Sequence, residues 1–365
     1  MDQPHIVYIG KICEKIKHIM KVKLVIIIML LPIFAAFTPA PLRFYIPQTT
    51  ALFHNMHDET FSATISPQWV YVAEINGDWL QVGTAFGLRW IYLNFTPPTY
   101  ELDAYFRQYG NSLAVFYKNI ATGFTYTFNP DRVFFGASVP KLNHALYVYT
   151  LAERGYIYMD TMRPYTRADF WGGTGIMRHM PFGGYFTTRE LLGNSIVDSD
   201  NVAFRMLVRE YNPAHFRYRD FVYELGADLS LIRDTISQNI TARDAGIWAY
   251  ATFRYLESGG RYAHYLKEDL LNATVGFIVS DYPVAQKYGW YHRHFHDLAI
   301  VYADSPYILV VLSNRGVEGG AHIYNRRTAA HYTFEEISWL IQEFHDKWFS
   351  GANNQNVLTP AVFDR

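Results

Sequence analysis

The chain has 365 residues, half of them hydrophobic and 18% charged: enough apolar material for one large or two ordinary cores, and too much for a disordered chain. Its 32 basic and 33 acidic side chains leave a formal charge of −1, so bulk electrostatics draws it neither to nucleic acid nor to anionic lipid. The single cysteine, Cys13, excludes a disulfide framework, a multi-cysteine zinc site and an iron–sulfur cluster, and leaves an oxygen as the expected nucleophile of any hydrolytic chemistry.

Lys11, Lys15, Lys17, Lys21 and Lys23 precede an uncharged run from Leu24 to Phe37, and small or turn-forming residues follow from Thr38 to Pro41. This is the order of a secretory signal. The run is 14 residues long and interrupted by Pro32. It falls short of the roughly 18 to 20 residues of a spanning helix, so over residues 1–40 a cleaved leader is favoured above a membrane anchor. Met20 offers a second start with a more ordinary basic region. No cysteine follows the run, which excludes a lipid-anchored lipoprotein. The expected location is outside the cytoplasmic membrane, secreted or tethered at its outer face or in the cell wall.

From Tyr45 to Asn94 the pattern is aromatic and β-rich, with turns at Asn76-Gly77-Asp78 and Gly87. Trp79-Leu80-Gln81-Val82 and Trp90-Ile91-Tyr92-Leu93 read as strands, and residues 45–95 are expected to form a small β-barrel. The spacing of Gly77-Asp78-Trp79-Leu80, Gly87 and Trp90-Ile91 resembles the bacterial SH3-like family, whose modules often hold wall polymers; a plain packing or spacer role is the alternative. Pro97-Pro98 marks a linker.

Residues 99–349 carry strands at both ends and helices between them. Glu101 to Tyr109 reads as a helix closed by Gly110, and Leu113–Tyr117 and Phe124–Phe128 as strands around Ala121-Thr122-Gly123. Near the end Val275–Val279, Gln286–Tyr291, Asp297–Tyr302 and Tyr307–Leu312 are strand-like. A last helix is expected to open with the capping pair Thr333 and Glu336, and to present Ile337, Leu340, Ile341, Phe344 and Trp348 on one face. The fold class is therefore α+β, an antiparallel sheet flanked by helices with an all-helical subdomain, followed by a tail from 350 to 365.

Three short motifs carry chemistry. Gly136-Ala137-Ser138-Val139-Pro140-Lys141 opens a helix, with Pro140 suited to its first turn. Lys141 then lies one turn beyond Ser138, where a desolvated lysine can act as the base a serine nucleophile needs. Ser199-Asp200-Asn201 sits at a second loop-to-helix junction and offers a hydroxyl to relay a proton and an amide to hold a substrate carbonyl; an ordinary N-cap cluster is its bland alternative. Lys287-Tyr288-Gly289 falls on an edge strand, where the lysine suits a carboxylate and the glycine admits a ligand backbone. Past the leader only five lysines remain, and two of them occupy these motifs.

In this order the motifs resemble those of class A β-lactamases and penicillin-binding proteins. Gly172-Gly173-Thr174-Gly175-Ile176, Phe186-Thr187-Thr188-Arg189-Glu190-Leu191-Leu192, Thr241-Ala242-Arg243-Asp244 and Tyr307-Ile308-Leu309-Val310-Val311-Leu312 extend the likeness over about 250 residues. The resemblance implies an acyl-enzyme mechanism without cofactor or metal. Ser138 attacks a β-lactam or a wall stem peptide, Lys141 takes its proton, and Ser199 passes a proton to the departing nitrogen. Asn201, Lys287, Tyr288, Gly289 and Trp290 bind substrate, with the backbone N–H groups of Ser138 and Trp290 around the oxyanion. The expected state is a monomer.

Two departures stand out. Tyr288 replaces the family's middle Thr or Ser, and its bulk points that side chain away from a substrate carboxylate. No Glu-x-x-Leu-Asn string lies between Asn201 and Thr241, where the family keeps its deacylating glutamate; Asp234 is the nearest carboxylate by position. With Lys287 only 88 positions after Ser199, slow deacylation is expected. The alternative function is a non-catalytic wall-binding or scaffolding protein of the same fold. His292, His294 and His296 share one strand face as a zinc triad would, but a solvated hairpin is the favoured reading.

Overall fold

The computed structural model describes residues 43–46, 50–58, 61–66, 68–76, 79–92, 99–121, 123–212, 217–228, 239–317 and 327–349. The leader with Met20, the Pro97-Pro98 linker, Asp234 and the 350–365 tail lie outside the described residues. The chain divides into two compact units, Met1–Arg43 and Phe44–Arg365, and all described residues but Arg43 belong to the second.

Its N-terminal part contains β1 (Arg43–Ile46), β2 (Thr50–Leu52), β3 (Ala63–Ile65), β4 (Gln68–Asn76), β5 (Trp79–Thr84) and β6 (Gly87–Tyr92). Among the described residues these strands do not close into the expected barrel. They form an open sheet, β1-β4-β5-β6, and a separate β2-β3 pair tied to β6 by a bridge between Phe53 and Trp90. Strand alternation splits their apolar side chains between two cores. Leu52, Val70, Leu80, Val82 and Ile91 make a small local one, while Ala51, Phe53 and Trp90 join the large core beneath the C-terminal helix.

After α1 (Tyr100–Arg107) come β7 (Leu113–Asn119), β8 (Thr125–Phe128), β9 (Phe134–Phe135) and α2 (Pro140–Glu153). The middle holds β10 (Met162–Pro164), β11 (Tyr185–Thr187), α3 (Thr188–Val197), α4 (Asn201–Tyr211), α5 (Tyr218–Glu224), β12 (Asn239–Ile240), α6 (Ala242–Leu256) and α7 (Ala263–Leu271). The chain then returns to the sheet through β13 (Val284–Tyr291), β14 (His294–Val301) and β15 (Tyr307–Ser313), and the last described helix is α8 (Ala329–Trp348).

The α+β expectation holds: one antiparallel sheet of order β13-β14-β15-β7-β8 joins the early strands to the late ones. One face, with Ala114, Phe116, Leu298, Val310 and Leu312, packs against the helices of the middle segment. The other, with Val115, Tyr117, Leu309 and Val311, packs against Phe334, Ile337 and Ile341 of α8. Helix α2 runs through the first of these cores and is buried on nearly every side, so any charge it carries is held away from water.

Three local expectations are corrected. The first helix stops at Arg107, and Gly110, at φ 50°, opens a short 3-10 turn. The last helix starts four residues before Thr333, capped reciprocally by Thr328 and His331, which leaves Thr333 buried inside it. Val275–Val279 is no strand. Phe277 and Ile278 donate their N–H groups to the Asp297 carboxylate at 2.6 and 3.0 Å, and Val279 donates to Ser338 Oγ at 3.2 Å, so side chains take the hydrogen bonds a ladder would need.

Candidate active site

Ser138 occupies the turn between β9 and α2. A two-pair antiparallel ladder with β12 sets the direction of the approach, Ala137 at φ 48° folds the chain back, and Pro140 starts the helix. The serine is half-buried. One helical turn on, Lys141 is buried within the core around α2 and reaches across to the second motif. Its Nζ donates to the carbonyl of Ser199 at 2.5 Å, to Asn201 Oδ1 at 2.7 Å and to Ser199 Oγ at 3.2 Å. Removing an ammonium from water costs several kcal/mol, and that burial foremost, with the nearby charge of Lys287 next, pushes the Lys141 titration well below the ordinary lysine range. Asp200 pulls the other way and is outweighed.

Asp200 anchors the second motif. One carboxylate oxygen caps α4 by accepting the Val202 and Ala203 N–H groups at 2.8 and 3.0 Å, and the other accepts the Met177 N–H at 2.8 Å. A cap of this kind is worth about 1 kcal/mol. It leaves Ser199 in a left-handed conformation, φ 53°, with its carbonyl turned toward Lys141. The same carbonyl accepts the Thr174 hydroxyl at 2.6 Å, and Asn201 Nδ2 donates to Gly172 O at 2.7 Å. Gly173 and Gly175, at φ 100° and 99°, let this loop press against the motif: a Cβ on Gly173 would lie 2.6 Å from Asn201 Nδ2, and one on Gly175 would overlap the Asp200 carboxylate.

The third motif lies on β13, an edge strand with half of its N–H groups outside the ladder. Its glycine touches the nucleophile's turn. A Cβ on Gly289 would meet Gly136 O and Val139 Cγ2 at 2.9 Å and Ser138 N at 3.0 Å. Lys287 faces the same side, fully buried, and donates to Tyr288 O at 3.1 Å. Burial lowers its titration to about 7, against the opposing charge of Asp297; burial raises Asp297 to about 7.

Tyr288 does not join the cleft. In a strand its side chain must point opposite to those of Lys287 and Gly289. It packs in the core beneath α8, edge-on to Phe277 at 5.4 Å. Trp290 shares that face, with Nε1 donating to His292 O at 3.0 Å, which leaves its backbone as the part available near Ser138. The structure thus brings Lys141, Ser199 and Asn201 into direct contact and sets Gly289 against Ser138, while the Tyr288 ring packs beneath α8 with the Lys287 Nζ 4.4 Å from its centre.

In the sequence, Gly172-Gly173-Thr174-Gly175 carries the family likeness but no site role; the support that Thr174 and the two positive-φ glycines give to the second motif is visible only in the structure. The three histidines do not share one face: His292 lies exposed in the turn, while His294 and His296 stay neighbours on β14, ring centres 5.9 Å apart, with His296 fully buried. No cluster of three or more His, Cys, Asp or Glu side chains suited to a metal occurs among the described residues.

Comparison with solved structures places this architecture. PBP-A matches with a TM-score of 0.58 at 13% identity, over 68% of this chain and 98% of that one. A PBP-A variant in its acyl-enzyme complex with penicillin G matches at 0.55 and 12%, over 67% and 96% of the two chains. A beta-lactamase from Sphaerobacter thermophilus DSM 20745 matches at 0.56 and 18%, over 68% and 97%. At these identities the likeness establishes the fold. No curated protein matches the sequence. The family model described as the Beta-lactamase enzyme family, however, matches residues 97–344, more than half of the sequence and all three motifs, and the chain belongs to that family.

Proposed function

We propose that this protein is an exported serine acyl hydrolase whose Ser138 forms an acyl-enzyme with β-lactams or with D-Ala-D-Ala-type wall peptides, and releases it slowly. The observation that carries the reading is the buried, deprotonation-prone Lys141 in contact with Ser199 and Asn201.

Neutral Lys141 accepts the Ser138 proton as Oγ attacks the carbonyl. The oxyanion develops beside the Ser138 and Trp290 N–H groups, where donors fixed in advance are worth most. Ser199 returns a proton from Lys141 to the departing nitrogen, which breaks the amide and leaves the Ser138 ester. Asn201, with one Nδ2 hydrogen spent on Gly172, keeps a second for the substrate's side-chain amide. Lys287 balances the substrate carboxylate, and Tyr288 supports that ammonium from the core side, its ring centre 4.4 Å from Nζ. The N-terminal strands are the part offered to a wall polymer, and the lysine-rich leader supports action outside the cytoplasmic membrane.

Intact-mass spectrometry after incubation with penicillin G tests the reading. One penicillin equivalent is expected on the wild type and none on Ser138→Ala. No adduct overturns it in favour of the non-catalytic alternative, and one that survives the substitution shows that a nucleophile other than Ser138 reacts.

A further inference from the structure

His296 takes no part in the chemistry above, yet it is fully buried directly behind it. In the β13–β14 register it stands opposite Gly289, the residue whose backbone touches Gly136 O and Ser138 N. Its Nδ1 accepts the Ser313 N–H at 3.1 Å. The ring proton therefore sits on Nε2, which donates to the carbonyl of Phe135 at 2.9 Å. Burial holds the imidazole titration down to about 3, so the ring stays neutral at working pH.

Phe135 ends β9, three residues before Ser138. Among the described residues the only ladder holding β9 is two residue pairs with β12, at Asn239 and Ile240, which is a weak tether for a turn that must hold a nucleophile still. The His296 bond ties that turn to the central sheet instead.

The geometry points to His296 as a positioning residue: by holding the Phe135 carbonyl it sets the height of the Ser138 turn over β13, and with it the spacing of the Ser138 and Trp290 N–H groups around the oxyanion. The inference rests on the reading of Ser138 as nucleophile. Errors of about 1 Å in such placement cost on the order of a hundredfold in rate, while ground-state binding changes little.

Two substitutions separate the two hydrogen bonds. Glutamine carries its amide nitrogen near the place of Nε2, and asparagine carries its amide oxygen near that of Nδ1. His296→Gln thus keeps the bond to Phe135 and loses Ser313, whereas His296→Asn does the reverse. Acylation by penicillin G, followed by intact mass over a range of concentrations, separates half-saturation from the limiting rate. His296→Asn should lower the limiting rate about ten- to a hundredfold with half-saturation changed less than about threefold, and His296→Gln should stay within about threefold of wild type. Equal losses in both variants, or no loss in His296→Asn, overturn the inference. If either variant fails to fold, nitrogen NMR of the wild-type imidazole decides: an Nε2–H tautomer is expected, and an Nδ1–H tautomer or a charged ring at neutral pH overturns it. A wild type that takes up no penicillin strikes instead at the acyl-enzyme reading, and the tautomer measurement then judges His296 by itself.

Discussion

The Nζ of Lys141 lies 2.7 Å from Oδ1 of Asn201, sixty positions further along the chain. The contact joins the first motif to the second through a buried lysine that gives up its proton easily, with direct consequences for acylation.

Lys141→Ala should slow acylation by about 10² to 10⁴, and Lys141→Arg should do no better, because a guanidinium stays charged. The base works when neutral and its titration is depressed, so the acylation rate should rise with pH and level off well before ordinary lysines deprotonate. In Lys287→Ala the rise should move to higher pH, since one of the two causes of the depression is gone. A rapid-quench pH profile checks both, and a wild-type rate still climbing at pH 10 contradicts the assignment.

Nitrocefin should give a burst equal to the enzyme concentration and then slow turnover, lower than a β-lactamase's by the roughly 10² to 10⁴ that a missing general base costs. Fast steady turnover, abolished by Ser138→Ala, would refute this and make Asp234→Asn the next variant to measure.

Gly175→Ala and Gly183→Ala both place a side chain at positive φ, 99° and 89°, but only the first meets an obstacle, with Asp200 Cα at 2.5 Å. Gly183 has nothing within 4 Å. Gly183→Ala should cost about 1 to 2 kcal/mol and Gly175→Ala more than about 4 kcal/mol, with loss of acylation because the second motif is displaced. Urea unfolding separates the two, and similar midpoints would show that the loop gives way.

Burial lowers the titration of His144 to about 4 and of His296 and His345 to about 3. Below about 6.5 the unfolded chain binds protons that these rings refuse, so their contribution is complete above that pH and is lost as pH falls towards the folded values. Asp297, held up at about 7, keeps a proton in the folded state across the same window and opposes them, as do the raised Asp269 and Asp346, while the lowered His294 and His331 add to the three. Stability at pH 5 should be lower than at pH 7 by about 2 to 4 kcal/mol, measured by urea midpoints. Equal midpoints would mean that the imidazoles reach water.

Much of this was legible in sequence where local chemistry decides. Ser138-Val139-Pro140-Lys141 declared a helix start, and Tyr307–Leu312 a buried strand; both appear within a residue or two of their expected places. Hydrogen bonds that link distant positions were not legible. Val275–Val279 has the β-branched content of a strand, and only a carboxylate on another strand, Asp297, shows why it is none. For His296 the sequence favours a solvated hairpin, and the ring is instead fully buried; its partners, the Phe135 carbonyl and the Ser313 N–H, are backbone groups that leave no trace in residue identity.

The family match begins at residue 97, but the core it needs begins earlier. Ala51, Phe53 and Trp90 lie in the same apolar cluster as Leu102, Phe106, Phe334 and Trp348, and the Phe61 ring is 4.3 Å from that of Trp348. A chain shortened to the matched segment would lose this cover and Trp348 with it, baring the undersides of α1 and α8. Such a fragment should be prone to aggregation and easily cut by proteases, and its poor behaviour would reflect where it was cut. In the full chain, residues 50–92 should melt together with the central sheet in a single cooperative transition.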